Sequence, residues 1–480
     1  MILATSCAIW VDNEFGTENG CSLLASNLFV FLSNTRGSSR ASTAPTRADG
    51  CPACFMKRPR SSLDVPPGPG TLEDCFRSAS DFLDMTDEHS LHRVDTHMRR
   101  GMNVFTWFSG WDAAAFSLAD LLSRMRDRRP SQTSDDDDVG IRFVHSAEID
   151  DTCVKLLKSH PPDSRSWHIF GDFVKHVKDT SAVDALHVLL ANAHSDYQER
   201  LDIGMDAVLA KQDVEERLYQ DAAAVMSEVT LVEKAYCHSC DAYCPVCPVD
   251  LDETRAAGMT SGGIFGSCCY DHSSMRRTVG PRIVGDTFIP WVCVATILAR
   301  LQLDWVLEEC TALTAHMVKF LLTFLGDHWR AVTRNLCCSD FGIPGTRRRR
   351  WTVYVNMYTR FWRLPLPCPL SRYGRTCRLP GTAFWCAPQD IVTARLQSKL
   401  RAAGYSPHET LDWDSLLSPG DYTRLLEHMR CRPHVSIVDV TQTGDWGSNS
   451  SELSRCLARR TLLFSIIHMR PQLVEELQKP

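Results

Sequence analysis

Apolar and polar positions alternate along the chain with two different periods, and the switches between them divide it into elements. MNVFTWF, residues 102 to 108, is an apolar run that stops at Ser109-Gly110. AAAFSLADLLSRM, residues 113 to 125, then repeats its apolar residues at helical spacing, so the pair predicts a strand, a turn and a helix. IRFVHSAEID predicts a second strand ending at Glu148, and SWHIFGDF a third short one ending at Asp172. Residues 182 to 233 predict long helices. AYCHSCDAYCPVCPVD follows, then a strand and helix pair through LEECTALTAH and a strand pair around CSDFGIPGTRRRRWTVYVN. Near the end, IVTARLQSKLRAAG predicts a helix stopped by Gly404, and SPGDYTRLLEHMR another, with Ser418 as N-cap and Pro419 in its first turn.

Strand and helix signals in alternation predict a doubly wound α/β sheet that binds ligands at the carboxyl ends of its strands. At 480 residues and 44% hydrophobic composition the chain is long enough to bury a full core with a smaller domain beside it. Residues 1 to 95 contrast with this. Their stretch from 35 to 70 is rich in Ser, Arg, Pro and Gly, a composition expected of a flexible arm. Lys57, Arg58 and Arg60 within it form a short basic cluster that reads as a nuclear address or as chance, leaving a cytoplasmic location as the other expectation. The apolar run at 21 to 32 is too short to cross a bilayer, so no membrane is expected as a partner.

A net charge of -6 appears unsuited to nucleic acid, but the charge is segregated. Residues 341 to 389 carry nine arginines and no Asp or Glu, interleaved with Trp351, Tyr354, Tyr358, Phe361, Trp362, Tyr373, Phe384 and Trp385. That composition suits a surface that neutralises phosphates and stacks on bases, or a solvated arginine face on a strand-rich segment. The 21 cysteines form no even framework, and a reducing compartment is expected. Cys51 and Cys54 are a lone pair that cannot close a four-ligand site. Cys237, Cys240, Cys244 and Cys247 offer four soft ligands suited to structural zinc, although the central spacer is tight; a reduced loop is the alternative. Glu148, at a strand end downstream of Ser109-Gly110, suits the two hydroxyls of a ribose, and Asp172 an adenine amino group.

Taken in order, these pieces resemble the cytosine-C5 methyltransferase family, which uses S-adenosylmethionine. VFTWFSGWDAAAFSL resembles its first cofactor motif, SAEIDDTCVKLL the second and HIFGDF the third. GSCCYDHSSM resembles the nucleophile motif, LEECT the catalytic glutamate motif and DFGIPGTRRRRWTVYVN the arginine motif. CLARRTLLFSIIHMRPQLVEEL resembles the segment that returns from the recognition domain, so the likeness spans roughly residues 100 to 480. It implies a Rossmann-like class I methyltransferase sheet over 96 to 357, with a helical insertion at 182 to 233 and a cysteine-rich loop at 237 to 247. A target-recognition domain would occupy 358 to 455, and a return segment 456 to 480.

By the same resemblance Cys269 is the nucleophile, Glu309 the glutamate that holds the base, Arg349 the base-polarising arginine and Arg347 its support. Glu308 would point to the opposite face of its strand. Phe108, Ser109, Gly110, Glu148, Ile149, Asp172 and Thr287 would bind the cofactor, with Asp286 near its methionine end. The implied partner is DNA, or alternatively tRNA, with the target base flipped out of the stack. A catalytically silent nucleic-acid-binding or zinc scaffold of the same fold is the remaining reading. The departures from the family pattern are Asp112 for its second glycine, Cys268 for proline, Cys310, Gly345 for glutamine, and an apparently lengthened MTSGGIFGSCC. The helix motif that usually closes the cofactor pocket is not evident.

Overall fold

The structure is a computed structural model of the chain. It describes residues 83–84, 86–110, 112–128, 140–266, 284–285, 287–310, 315–343, 345–346, 348–359, 373–379 and 419–431, with short pieces at 67–68, 70, 401, 437–439, 454–455 and 463–465. In chain order the elements are α1 (Glu88–Arg100), β1 (Met102–Trp107), α2 (Ala113–Asp127), β2 (Ile141–Ala147), α3 (Asp151–Ser159), β3 (His168–Phe170), α4 (Thr180–Asp202), α5 (Ala207–Met226), β4 (Lys234–Cys237), β5 (Ala242–Pro245), α6 (Leu251–Ala256) and β6 (Thr260–Gly266). They continue with α7 (Phe288–Leu301), β7 (Trp305–Cys310), α8 (Ala315–Leu325), β8 (Trp329–Leu336), β9 (Gly345–Thr346), β10 (Arg349–Asn356), α9 (Pro419–Cys431), β11 (Ile437–Asp439), β12 (Ser454–Arg455) and β13 (Leu463–Ser465).

Nine strands form one sheet in the order β5-β4-β3-β2-β1-β6-β7-β10-β8. From β3 to β7 every neighbour is parallel, whereas β10 runs antiparallel between β7 and β8. The order reverses direction between β1 and β6, which makes that pair the topological switch point, where doubly wound sheets bind their ligands. This is the Rossmann-like, doubly wound sheet expected from the sequence.

Period-two alternation explains why the sheet is covered on both faces. Phe105, Val144, Phe265 and Val306 belong to one buried cluster with α4, α5, α7 and α8. Their chain neighbours Val104, Phe143, Ile264 and Leu307 belong to the other, with α1 and α2. Helix α7 is buried on almost every side, which accounts for its sequence FIPWVCVATILARL carrying one charge. The long α4 and α5 pack against each other, tied by Asp196 to Arg200 and Arg200 to Asp213.

Two departures from the family pattern acquire structural reasons here. TSGGIFG is not an extension ahead of Cys268 and Cys269 but the strand β6 itself, so the expected lengthening of that approach is corrected. Its glycines are required by packing: a Cβ at Gly262 would lie 1.9 Å from Cε2 of Trp305 on the adjacent strand. Asp112, in place of the second glycine, keeps the left-handed backbone that glycine favours, with φ of 51°. Its carboxylate compensates by capping α2: the Ala115 N–H donates to Oδ1, and Thr106 and Ser146 donate to Oδ2 at 3.0 and 2.9 Å.

Candidate functional site

The turn after β1 builds the first wall of the crevice. Phe108 and Gly110 both adopt positive φ, 51° and 53°, folding the backbone back on itself before α2. Phe108 packs edge-on against Phe173, with ring centroids 4.8 Å apart. Ser109 serves as a fastener, since its hydroxyl and N–H both bond Ala147 at the end of β2. Beyond Gly110, a Cβ would meet nothing within 4 Å, so the backbone faces open space there.

Glu148 closes the second wall. The Gly110 N–H donates to its Oε2 at 2.6 Å and the Asp150 N–H to its Oε1 at 3.0 Å. Its own N–H continues the ladder to Phe170. A carboxylate has about four lone-pair sites, so two remain for incoming hydroxyls. Ile149 beside it is 73% exposed at the rim. Asp172 caps the short helical turn after β3, accepting from the Val174 N–H at 3.0 Å. Thr287 occupies the N-cap of α7. These residues fit a nucleoside-bearing cofactor: an open glycine, a positioned carboxylate and an apolar aromatic pair border one crevice.

Across the switch point, Gly266 ends β6 and pairs in register with Glu309 of β7. A Cβ at Gly266 would lie 3.5 Å from the Glu309 carboxylate, so that side chain stands against the strand end that precedes Cys268 and Cys269 in sequence. Arg349, the first residue of β10, places its Nε 2.8 Å from Glu309 Oε1. Both side chains are largely covered, at 12% and 19% exposure, which limits screening of the pair.

Glu308 and Glu309 occupy opposite faces, as alternation requires. Glu308 is fully buried and accepts from Trp291 Nε1 at 2.9 Å and from the Tyr354 hydroxyl at 2.7 Å. Burial, reinforced by that carboxylate, raises the Tyr354 phenol well above its ordinary range, so it remains a donor. Burial likewise raises Asp112 from 3.8 to about 6, against its three hydrogen bonds.

Cys268, Cys269, Asp286 and Arg347 lie outside the described residues, as does most of 358 to 455. The cysteine set is rearranged relative to the expectation. Ligand atoms of His168, Cys237, Cys240 and Cys244 all lie within 4.8 Å of one another. The Cys247 sulfur instead donates to the Val249 carbonyl at 3.2 Å. His168 was invisible in the spacing of the cysteines because 69 residues separate it from Cys237.

No protein-family model matches the chain, and no curated protein matches it in sequence. Among solved structures, S. pombe Dnmt2 methyltransferase aligns at 8% identity and a TM-score of 0.25, covering 54% of this chain and 50% of that one. A putative DNA modification methyltransferase encoded within an E. coli prophage aligns at 14% and 0.25, covering 54% and 48%. A mutant of Spodoptera frugiperda DNMT2 aligns at 11% and 0.26, covering 70% and 66%. The chain thus spans about half the length of the first two. Such weak superpositions carry no argument of their own; topology and site geometry do.

Proposed function

We propose that this protein is an S-adenosylmethionine-dependent cytosine-C5 methyltransferase acting on DNA. The observation that carries the reading is the Glu309–Arg349 pair beside Gly266, across the switch point from Gly110 and Glu148. One half of such a crevice suits a nucleoside cofactor and the other a base. Within this reading Glu148 takes the ribose hydroxyls, Phe108 and Ile149 flank the adenine, and Asp172 accepts from its amino group. Ser109, Gly110 and Thr287 shape the pocket around the remainder. The cofactor supplies an electrophilic methyl group.

Cytosine C5 is too weak a nucleophile to take that methyl unaided. In the proposed reaction the thiolate of Cys269 adds to C6, and the electrons moved into the ring make C5 nucleophilic. Glu309 supports this step at the N3 edge by donating or sharing a proton as negative charge develops there. Arg349, assisted by Arg347, holds O2 and orients the Glu309 carboxylate. After C5 gains its methyl group, loss of the C5 proton to a base re-forms the C5–C6 double bond and expels the thiolate. The base must leave the stack for both ring faces to be reached. Arginines and aromatics from 341 onward would supply phosphate and stacking contacts.

Transfer of a radiolabelled methyl group to duplex DNA and, separately, to tRNA tests the proposal. Label at C5 of cytosine in DNA is the expected result, with Glu148→Ala weakening cofactor binding by about tenfold or more. Label in tRNA alone would move the substrate to RNA. Absence of saturable cofactor binding would leave a silent scaffold.

A further inference from the structure

We infer that His168, Cys237, Cys240 and Cys244 form a structural zinc site that fastens the β4–β5 hairpin to the edge of β3. Two of the edges between ligand atoms have the length a tetrahedral zinc site requires. His168 Nδ1 stands 3.6 Å from the Cys237 sulfur and 3.6 Å from the Cys240 sulfur. Zinc bonds of about 2.3 Å to sulfur and about 2.05 Å to nitrogen, at a tetrahedral angle, give an N···S edge of about 3.6 Å. The Cys244 sulfur completes the group, with every ligand atom inside 4.8 Å of the rest. Cys237 ends β4 and Cys240 lies within the hairpin turn, while Cys244 lies on the return strand opposite Ala235. The imidazole enters from the neighbouring strand, which relieves the tight central spacer of a four-cysteine set.

The hairpin needs such a staple. Strands β4 and β5 have four residues each, and β4 meets β3 through a single register pair, Phe170 with Cys237. Cys237 is the one fully buried residue of the two strands, whereas Tyr236 and Tyr243 are 44% and 72% exposed. An isolated two-stranded hairpin with so little apolar burial is marginal in water, and small metal sites compensate for a missing core. All three cysteines of the site are free thiols, so no disulfide substitutes for the metal.

The knuckle also bears on the crevice. The His238 N–H donates to the Ile169 carbonyl at 2.7 Å, and a Cβ at Gly171 would lie 3.1 Å from His238 Nε2. The hairpin turn therefore rests on the residue immediately before Asp172. The zinc assignment itself does not depend on the methyltransferase reading.

The test is metal analysis of the purified full chain after supplementation with zinc and removal of loosely bound ions, with X-ray absorption at the zinc edge. The expected result is one zinc per chain in a shell of three sulfurs at about 2.3 Å and one nitrogen at about 2.0 Å. His168→Ala and Cys240→Ser should each lose the metal, Cys247→Ser should retain it, and His168→Cys should retain it with a four-sulfur shell. A metal-free wild-type protein would overturn the assignment. So would a four-sulfur shell in the wild type, or zinc lost in Cys247→Ser and kept in His168→Ala. The absorption spectrum of the wild type decides the ligand set even where a variant fails to fold.

Discussion

Arg349 reaches Glu309 across the antiparallel β7–β10 pair, Nε to Oε1 at 2.8 Å, and the two side chains share the sheet face that carries Gly266. On that face a carboxylate meets the strand end that precedes Cys268 and Cys269 in sequence. On the other, Glu308 is consumed by Trp291 and Tyr354 in the core. Adjacent glutamates thus have separate surroundings, one enclosed in the core and one paired with Arg349 beside the end of β6.

This separation predicts opposite consequences for the two glutamates. Glu309→Gln should lower single-turnover methyl transfer by about a hundredfold or more, because a general acid–base contribution is removed. Its stability should fall by only about 1–2 kcal/mol, because the isosteric amide oxygen still accepts from Arg349. Glu308→Ala should instead destabilise the fold by about 3 kcal/mol, since it leaves two buried donors without their acceptor. Thermal or urea denaturation run beside the rate measurement distinguishes the two; an unaltered rate in Glu309→Gln contradicts its assigned role.

Asp112 should give the fold a measurable pH dependence. Its folded pKa of about 6 exceeds the ordinary 3.8, chiefly through burial. The folded state therefore holds a proton that the unfolded state has released, and this stabilising contribution is present below pH 3.8 and lost as pH rises through about 6. The shift corresponds to at most about 3 kcal/mol. Asp112→Asn, which can keep the cap and bond both hydroxyls, should show a flatter stability profile between pH 4 and 6. Parallel profiles for variant and wild type would remove Asp112 from this account.

Gly262→Ala should cost about 3 kcal/mol or more, because the new methyl would enter the buried indole of Trp305. Urea denaturation measures the loss, and replacing Trp305 by leucine in the same chain should recover part of it. A small cost for Gly262→Ala alone would mean that β6 and β7 separate more easily than their register implies.

The sequence was most legible where local pattern and tertiary position agree. Strands β1 and β2 are apolar runs ending at a turn or a carboxylate, and alternation alone places Glu308 and Glu309 on opposite faces of their strand, while the preference for Glu309 came from the resemblance. Strand β6 was hidden because TSGGIFG carries three glycines where strand formers are expected; the indole of Trp305 explains Gly262, and Trp107 with Leu303 explains Gly263. The role of Asp112 was obscured because its left-handed backbone and its cap depend on Thr106 and Ser146, which lie on two different strands. His168 joins the cysteines only through the sheet order that sets β4 beside β3.

The central claim is covalent catalysis by Cys269, and trapping tests it most directly. Incubation with a duplex pool carrying 5-fluorocytosine and S-adenosylmethionine blocks the final elimination, because fluorine replaces the proton that must leave C5. The account predicts a denaturant-stable protein–DNA adduct that forms with wild type and Cys268→Ser and is absent with Cys269→Ser. An adduct that persists in Cys269→Ser, or none on DNA under conditions where an established cytosine methyltransferase traps, would contradict it.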